Sequence, residues 1–456
     1  MKRALTIVIV GVFAAMLSLS APAMAVELAE DPTPTPSTTE SSTPTPSPTP
    51  TDPIRGAEYW LDGYGITEAW KTTKGDGVTI AVIDTGVAHT ASLDPAVVGG
   101  ADFSGAGSED GRTPVGVKDA NHGTYVASLL AARPGAGDTG MVGVAPEADI
   151  LAISVGFGSS ATVPFVDQLA DAIVWAVDEG ADIINLSLTT NQLSWDQSWD
   201  AAFQYAFDHD VVVIVAAGNR GSGTSVVGAP ATIPGVLTVA GVDPTGKASL
   251  GASTQGITIG VAAPSEELLG IAPDGSVVVW DGTSGAAPIV AGVAALVRSA
   301  HPDLDAANVI QRLIATATPV PGAATPSPLY GYGLIDAKAA VTATNVTHVD
   351  ENPMGSLAEW VRIYRRADAP PQPQQPGEVP QVQIPELPPV EGQAPKPNPL
   401  MPSLESIRNG SIPLIAVTLP GILLALGVTA AARSIRSARE SRTSSNDHSK
   451  ELSSRA

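Results

Sequence analysis

Along the middle of the chain, apolar residues come in short solid runs rather than in strict alternation. Val78–Ile83, Asp149–Val155, Asp182–Leu188, Val211–Ala216 and Val236–Val242 are rich in β-branched residues and almost wholly apolar. Such runs predict strands buried on both faces of a parallel sheet. Between them, Val163, Val166, Leu169, Ala170, Ile173, Val174 and Val177 keep helical spacing on one face. Trp195–Phe207 and Ala286–Arg298 also read as helices, and Leu268–Trp280 as a hairpin turning at Asp274-Gly275. The alternation predicts an α/β fold over residues 56–345: an open, mostly parallel sheet with helices on both faces and its chemistry in loops at the strand carboxyl ends. No internal repeat is visible.

The flanks have a different pattern. Lys2-Arg3, the apolar run Ala4–Leu19 and the small-residue site Ala23-Met24-Ala25 predict a signal peptide over 1–25, with an uncleaved anchor helix as the alternative. Residues 26–55 form a Thr/Pro-rich linker, for which polyproline II or disorder is the physical expectation. A short connecting segment, 346–368, leads to a Pro-rich linker, 369–410. Ser411–Ala432 then runs without a charge. At about 1.5 Å per residue it spans roughly 33 Å, enough for a bilayer core. Arg433, Arg436, Arg439 and Arg442 follow at once. The positive-inside rule makes 411–432 a transmembrane helix, 433–456 a basic cytoplasmic tail and the body extracellular, at a cell membrane crossed once.

Composition narrows the chemistry. The net charge of −22 disfavours nucleic acid as a partner. The absence of cysteine excludes disulfides, thiolate metal sites and cysteine nucleophiles. Six histidines leave little room for a multi-histidine metal centre.

Four segments carry reactive or polar side chains among small residues. Asp84 ends the run Ala81-Val82-Ile83-Asp84-Thr85-Gly86, where a carboxylate can orient a histidine from a rigid support. An Asp at a strand end is, taken alone, more often a cap. His122 opens an apolar helix in Asn121-His122-Gly123-Thr124, although a lone histidine is usually structural. Ser284 lies in Asp281-Gly282-Thr283-Ser284-Gly285-Ala286-Ala287-Pro288, where the hairpin feeds a helix whose first N–H groups suit a developing oxyanion. A helix cap is its plainer role. Pro288 is acceptable there only close to the first turn. Asn219 follows Ala217-Gly218 at a strand end and offers an uncharged donor, or is a simple turn residue.

In the order Asp, His, Asn, Ser, the motifs IDTGV, HGTYVAS, AAGN and GTSGAAP resemble the subtilisin-like serine protease (subtilase, peptidase S8) family. Gly331–Asp336 resembles that family's closing segment, and the resemblance covers roughly residues 75–345. It implies a subtilisin-like fold. It also implies Asp84 as orienting carboxylate, His122 as general base and acid, Ser284 as nucleophile and Asn219 as oxyanion donor. Ser187, Leu188 and Thr189 would pair with a substrate backbone and, with Ala217 and Gly218, wall the pocket for the residue before the scissile bond. Two positions depart from the family pattern. Gly285 replaces a larger side chain and is expected to loosen the nucleophile's turn. Thr189 stands where many members have glycine, which alters the substrate groove.

The Pro-rich tethers and the C-terminal anchor resemble the mycosins, membrane-anchored subtilases of type VII secretion systems. Gly56–Trp70 resembles the extension that wraps their catalytic domain. Only about 30 residues separate Ala25 from that domain, too few and too Pro-rich for the folded pro-domain that most secreted subtilases carry. The implied function is a membrane-anchored, extracytoplasmic serine endopeptidase acting on proteins or peptides, with the type VII membrane complex as partner. The alternative is a mainly structural subunit of such a complex. The chemistry requires no cofactor or metal. Structural calcium is frequent in the family, but no loop here shows a clear ligand pattern.

Overall fold

The computed structural model describes residues 52–365, apart from 118. The helical extension comes first: α1 (Pro53–Ala57), α2 (Tyr59–Gly63) and α3 (Ile66–Ala69). Then follow β1 (Thr79–Asp84), β2 (Val97–Asp102), α4 (His122–Ala131), β3 (Asp149–Ser154), α5 (Phe165–Asp178), β4 (Ile183–Leu186), α6 (Ser198–Asp208), β5 (Val212–Ala216), β6 (Leu237–Val242) and β7 (Ile259–Pro264). A hairpin of β8 (Leu268–Ile271) and β9 (Val277–Trp280) leads into α7 (Thr283–Ala300), α8 (Ala306–Ala315), α9 (Ala337–Thr342) and α10 (Leu357–Tyr364).

Strands β1 to β7 form one parallel sheet in the order β2-β3-β1-β4-β5-β6-β7. The first strand is therefore central, and the chain runs to either side of it. A ligand site belongs at the carboxyl ends where the winding reverses, beside β1. Strands β4 and β5 are buried throughout, and β1 is buried from Ile80 onward. Helices α4 and α7 pack together, as do α5 and α6, on the two faces of the sheet. The expected five strands and the hairpin are present. The sheet gains two edges, β2 and β7, that the apolar pattern did not announce.

Three local expectations change. On α5 the buried positions are Gln168, Leu169, Ala172, Ile173, Ala176 and Val177. The buried face therefore includes a polar residue. Gln168 accepts from the Gly156 N–H at 2.7 Å and donates to the Gly156 and Val163 carbonyls. Helix α7 begins at Thr283, before the expected Ala286, so Pro288 falls in its second turn rather than its first. Proline has no N–H for the carbonyl four residues earlier, that of Ser284. The Ser187 hydroxyl supplies the missing donor at 2.8 Å.

Helix α7 is, among the described residues, the helix long and apolar enough to cross a membrane, but it is a buried core helix. The transmembrane helix expected at 411–432 and the signal peptide lie outside the described residues.

The extension is fastened to the body. Trp60, Leu61, Ile66 and Ala69 are buried in the core. The Trp70 indole donates to the Val144 carbonyl at 2.8 Å. Glu58 is buried, pairs with Arg55 at 3.1 Å and accepts from the Val142 N–H at 3.1 Å. Asp52 accepts from the Gly140 N–H.

Candidate active site

Strand β1 delivers Asp84 to the sheet's carboxyl edge, only 2% exposed. Helix α4 starts with His122, and its Nδ1 lies 2.8 Å and 3.0 Å from the two Asp84 carboxylate oxygens. The close approach depends on Gly123. A Cβ there would sit 2.4 Å from the Gly86 carbonyl oxygen and 3.1 Å from the Asp84 Cβ. Thr85 ties the two elements together, donating to the Ala120 carbonyl at 2.8 Å and accepting from the Gly123 N–H at 2.9 Å. The Thr85 N–H also donates to Asp84 at 2.7 Å, which fixes the carboxylate.

Burial alone would push the His122 pKa down. The Asp84 charge and hydrogen bond, with the charge of Asp119, outweigh that and hold it above the ordinary histidine value. The Trp280 and His122 rings meet edge to face, with centroids 5.7 Å apart.

Ser284 is in the first turn of α7, where backbone N–H groups have no partner within the helix. Its hydroxyl donates to the Ser187 carbonyl at 3.0 Å rather than to His122. Asn219, just past β5, turns its side-chain oxygen toward Thr283. That oxygen accepts from the Thr283 N–H at 2.8 Å and from its hydroxyl at 2.9 Å. Asn219 itself lines the cleft. The Thr283 hydroxyl in turn accepts from the Gly218 N–H at 2.9 Å.

A cleft of about 530 Å³ gathers Asp84, His122, Ser284, Asn219, Ser187, Leu188 and Thr189, with Tyr125, Phe157 and Trp280 adding apolar surface. Ala217 and Gly218 are both buried, and a Cβ on Gly218 would meet the Thr189 and Thr224 methyls. Among the described residues, no three His, Asp or Glu side chains are grouped to hold a metal ion.

Gly285, beside Ser284, has little room for a larger side chain. It sits within α7, and a Cβ there would be 2.3 Å from Leu268 Cδ1 and 3.3 Å from the Trp280 ring. The hairpin's side chains occupy the space a larger residue would need. Thr85, Thr283 and Trp280 were not singled out from the sequence. The two threonines lie inside the motifs that point to the site, next to Asp84 and Ser284, so adjacency was the available signal. Nothing local marks Trp280.

The subtilase family (peptidase S8) matches residues 75–333. Mycosin-4 of Mycobacterium tuberculosis is 36% identical over 325 residues, covering 62% of this chain and 68% of that protein. Subtilisin DY of Bacillus licheniformis is 38% identical over 272 residues, covering 59% and 92%. Among solved structures, the MycP3 protease from the type VII (ESX-3) secretion system aligns with a TM-score of 0.54 at 35% identity, covering 63% of this chain and 88% of that one. With more than half its length matched, and with relatives of both mycosin and subtilisin type, the chain belongs to the subtilase family of serine endopeptidases.

Proposed function

We propose that this protein is a membrane-anchored, extracytoplasmic endopeptidase in which Asp84, His122 and Ser284 form the catalytic triad. The observation that carries the reading is the Asp84–His122 hydrogen bond at 2.8 Å, opening on the same cleft as Ser284. Asp84 fixes the imidazole with Nδ1 protonated, which leaves Nε2 to act as base. The Ser284 hydroxyl swings from the Ser187 carbonyl toward Nε2 as it gives up its proton, a tightening common once substrate binds. Oγ then attacks the peptide carbonyl. The oxyanion is held by the Asn219 NH₂ and the Ser284 N–H. His122 returns the proton to the leaving amine, and water releases the acyl-enzyme.

Residues 1–25 act as signal peptide, 26–55 and 369–410 as tethers, 411–432 as anchor and 433–456 as cytoplasmic tail. The likeness to mycosins, and to MycP3 from a type VII secretion system, supports a place beside such a membrane complex. Labelling with a fluorophosphonate probe tests the triad. Ser284→Ala should abolish it and His122→Ala should weaken it severely. Full labelling of Ser284→Ala would sink the assignment. A reporter fused after Ala456, active only in the cytoplasm, tests the topology.

A further inference from the structure

The chain segments that leave β4 and β5 run side by side past the cleft, Ser187–Thr190 on one side and Ala217–Asn219 on the other. Between two such segments a slot can open for a substrate side chain, provided that the flanking residues are small. Gly218 meets that condition, with φ +99° and no side chain. The space beside it is nevertheless taken. A Cβ on Gly218 would lie 2.9 Å from the Thr189 methyl and 2.6 Å from the Thr224 methyl.

Neither methyl is placed by chance. The Thr189 hydroxyl donates to the Gly228 carbonyl at 3.1 Å, which turns the side chain inward across the slot. Thr224 is 8% exposed, and its N–H donates to the Asn219 carbonyl at 3.1 Å. Behind them the slot's floor is backbone. The Thr190 N–H donates to the Ala229 carbonyl at 2.8 Å, and the Ala229 N–H to the Gln192 carbonyl at 2.7 Å. A Cβ on Gly228 would meet the Thr190 oxygen at 1.8 Å. On this side the cleft is lined by Ser187, Leu188, Thr189, Asn219 and Ser222.

We propose that Thr189 closes the slot for the residue preceding the scissile bond, so that the enzyme selects peptides with glycine, alanine or serine there. The proposal rests on the reading of Ser284 as nucleophile and of 187–189 as the substrate-pairing segment. Its physics is exclusion rather than attraction. A single methylene in an apolar pocket changes selection by about 10–200-fold, and a phenyl ring in a filled slot demands displacement of packed methyls besides. Thr189→Gly removes the methyl and opens the floor. Thr189→Ser keeps the hydroxyl bonded to the Gly228 carbonyl and removes only the methyl.

The test is the rate of inactivation by peptidyl phosphonates that differ only before the reactive phosphorus, alanine against phenylalanine. The ratio of the two rates cancels any general loss in a variant. In the full-length protein the alanine probe should react about 100-fold faster. Thr189→Gly should cut that ratio at least about tenfold, with Thr189→Ser between the two. Equal rates in the parent protein, or an unchanged ratio in Thr189→Gly, would overturn the proposal. So would failure of both peptidyl probes on protein that a simple fluorophosphonate labels at Ser284. Failure of the underlying reading shows differently, as fluorophosphonate labelling that persists in Ser284→Ala.

Discussion

Ser187 and Ser284 hold each other by two hydrogen bonds of opposite sense. The Ser187 hydroxyl donates to the Ser284 carbonyl at 2.8 Å, and the Ser284 hydroxyl donates to the Ser187 carbonyl at 3.0 Å. The first bond exists because Pro288 withholds the N–H that would otherwise serve that carbonyl. The proposed substrate-pairing segment and the proposed nucleophile are therefore positioned as one unit.

Ser187→Ala should leave the half-buried Ser284 carbonyl without that donor and cost about 1 kcal/mol. Pro288→Ala restores a helical donor to the same carbonyl. Urea unfolding should show a smaller cost for Ser187→Ala in the Pro288→Ala background than in the parent. The fully buried Asn185 amide, which donates to the Ser187 hydroxyl at 3.0 Å, keeps the rescue partial. Equal costs in both backgrounds would show that the proline does not set the need for Ser187.

The raised His122 pKa fixes where activity begins. The base works unprotonated, so kcat/KM should rise with pH through a value above the usual 6.5. Asp84→Asn removes the largest raising influence and should move that limb to lower pH. It should also cut kcat by about the 10⁴-fold that the same change costs in an unrelated triad protease. The fold favours protonated His122, so the group's stabilisation is complete below pH 6.5 and fades as pH rises through the raised value. An acid limb that Asp84→Asn leaves in place would assign it to another group.

Asn219→Ala should lower kcat with little change in KM, because the ground-state carbonyl barely uses the donor. Loss of one such donor in subtilisin, a relative, costs about 10²–10³ in kcat and sets the scale. Thr283→Val removes one of the two bonds that orient the Asn219 amide and should cost about tenfold in kcat. Thr283→Ser should recover it. A Thr283→Val protein that lost stability but kept kcat would make the threonine a packing residue only.

Glu58 should make the extension's attachment sensitive to pH. Burial pushes its carboxyl up to about 8, against the lowering pull of the Val142 N–H and Arg55. The fold thus favours the protonated form. That contribution is whole below pH 4.5 and is lost as pH rises toward 8. Thermal melts across this range should fall for the parent protein and flatten for Glu58→Gln. Parallel curves would mean that Glu58 stays charged and is fully served by Arg55.

The sheet's centre was legible in the sequence because strands buried on both faces cannot hide their apolar runs. Its edges were not. Strand β2 contains Gly99 and Gly100, and a Cβ on Gly100 would meet the Asp110 and Ala152 oxygens at 2.1 Å and 2.4 Å. Close packing there required the residue that reads as a loop. Strand β7 carries Gly260 for a similar reason, with Leu237 Cδ1 at 2.5 Å, and ends on Pro264. Helix α10 went unread because it is short and mostly exposed, held by Trp360 against Trp195 at 4.4 Å. The site residues were readable through their motifs. Their supports, Thr283 and Trp280, act through contacts that no spacing rule encodes.

Helix α7 carries Ser284 at its start and is buried along most of the length that follows, under the sheet and beside α4. The serine thus grows from a part of the domain that should open last. Amides along α7 should exchange with solvent only through global unfolding, and loss of the nucleophile on heating should coincide with loss of the whole sheet. The hinge between working and failed enzyme is then the cooperative melting of the domain itself, with no milder, locally frayed state in which the serine drifts while the protein stays folded.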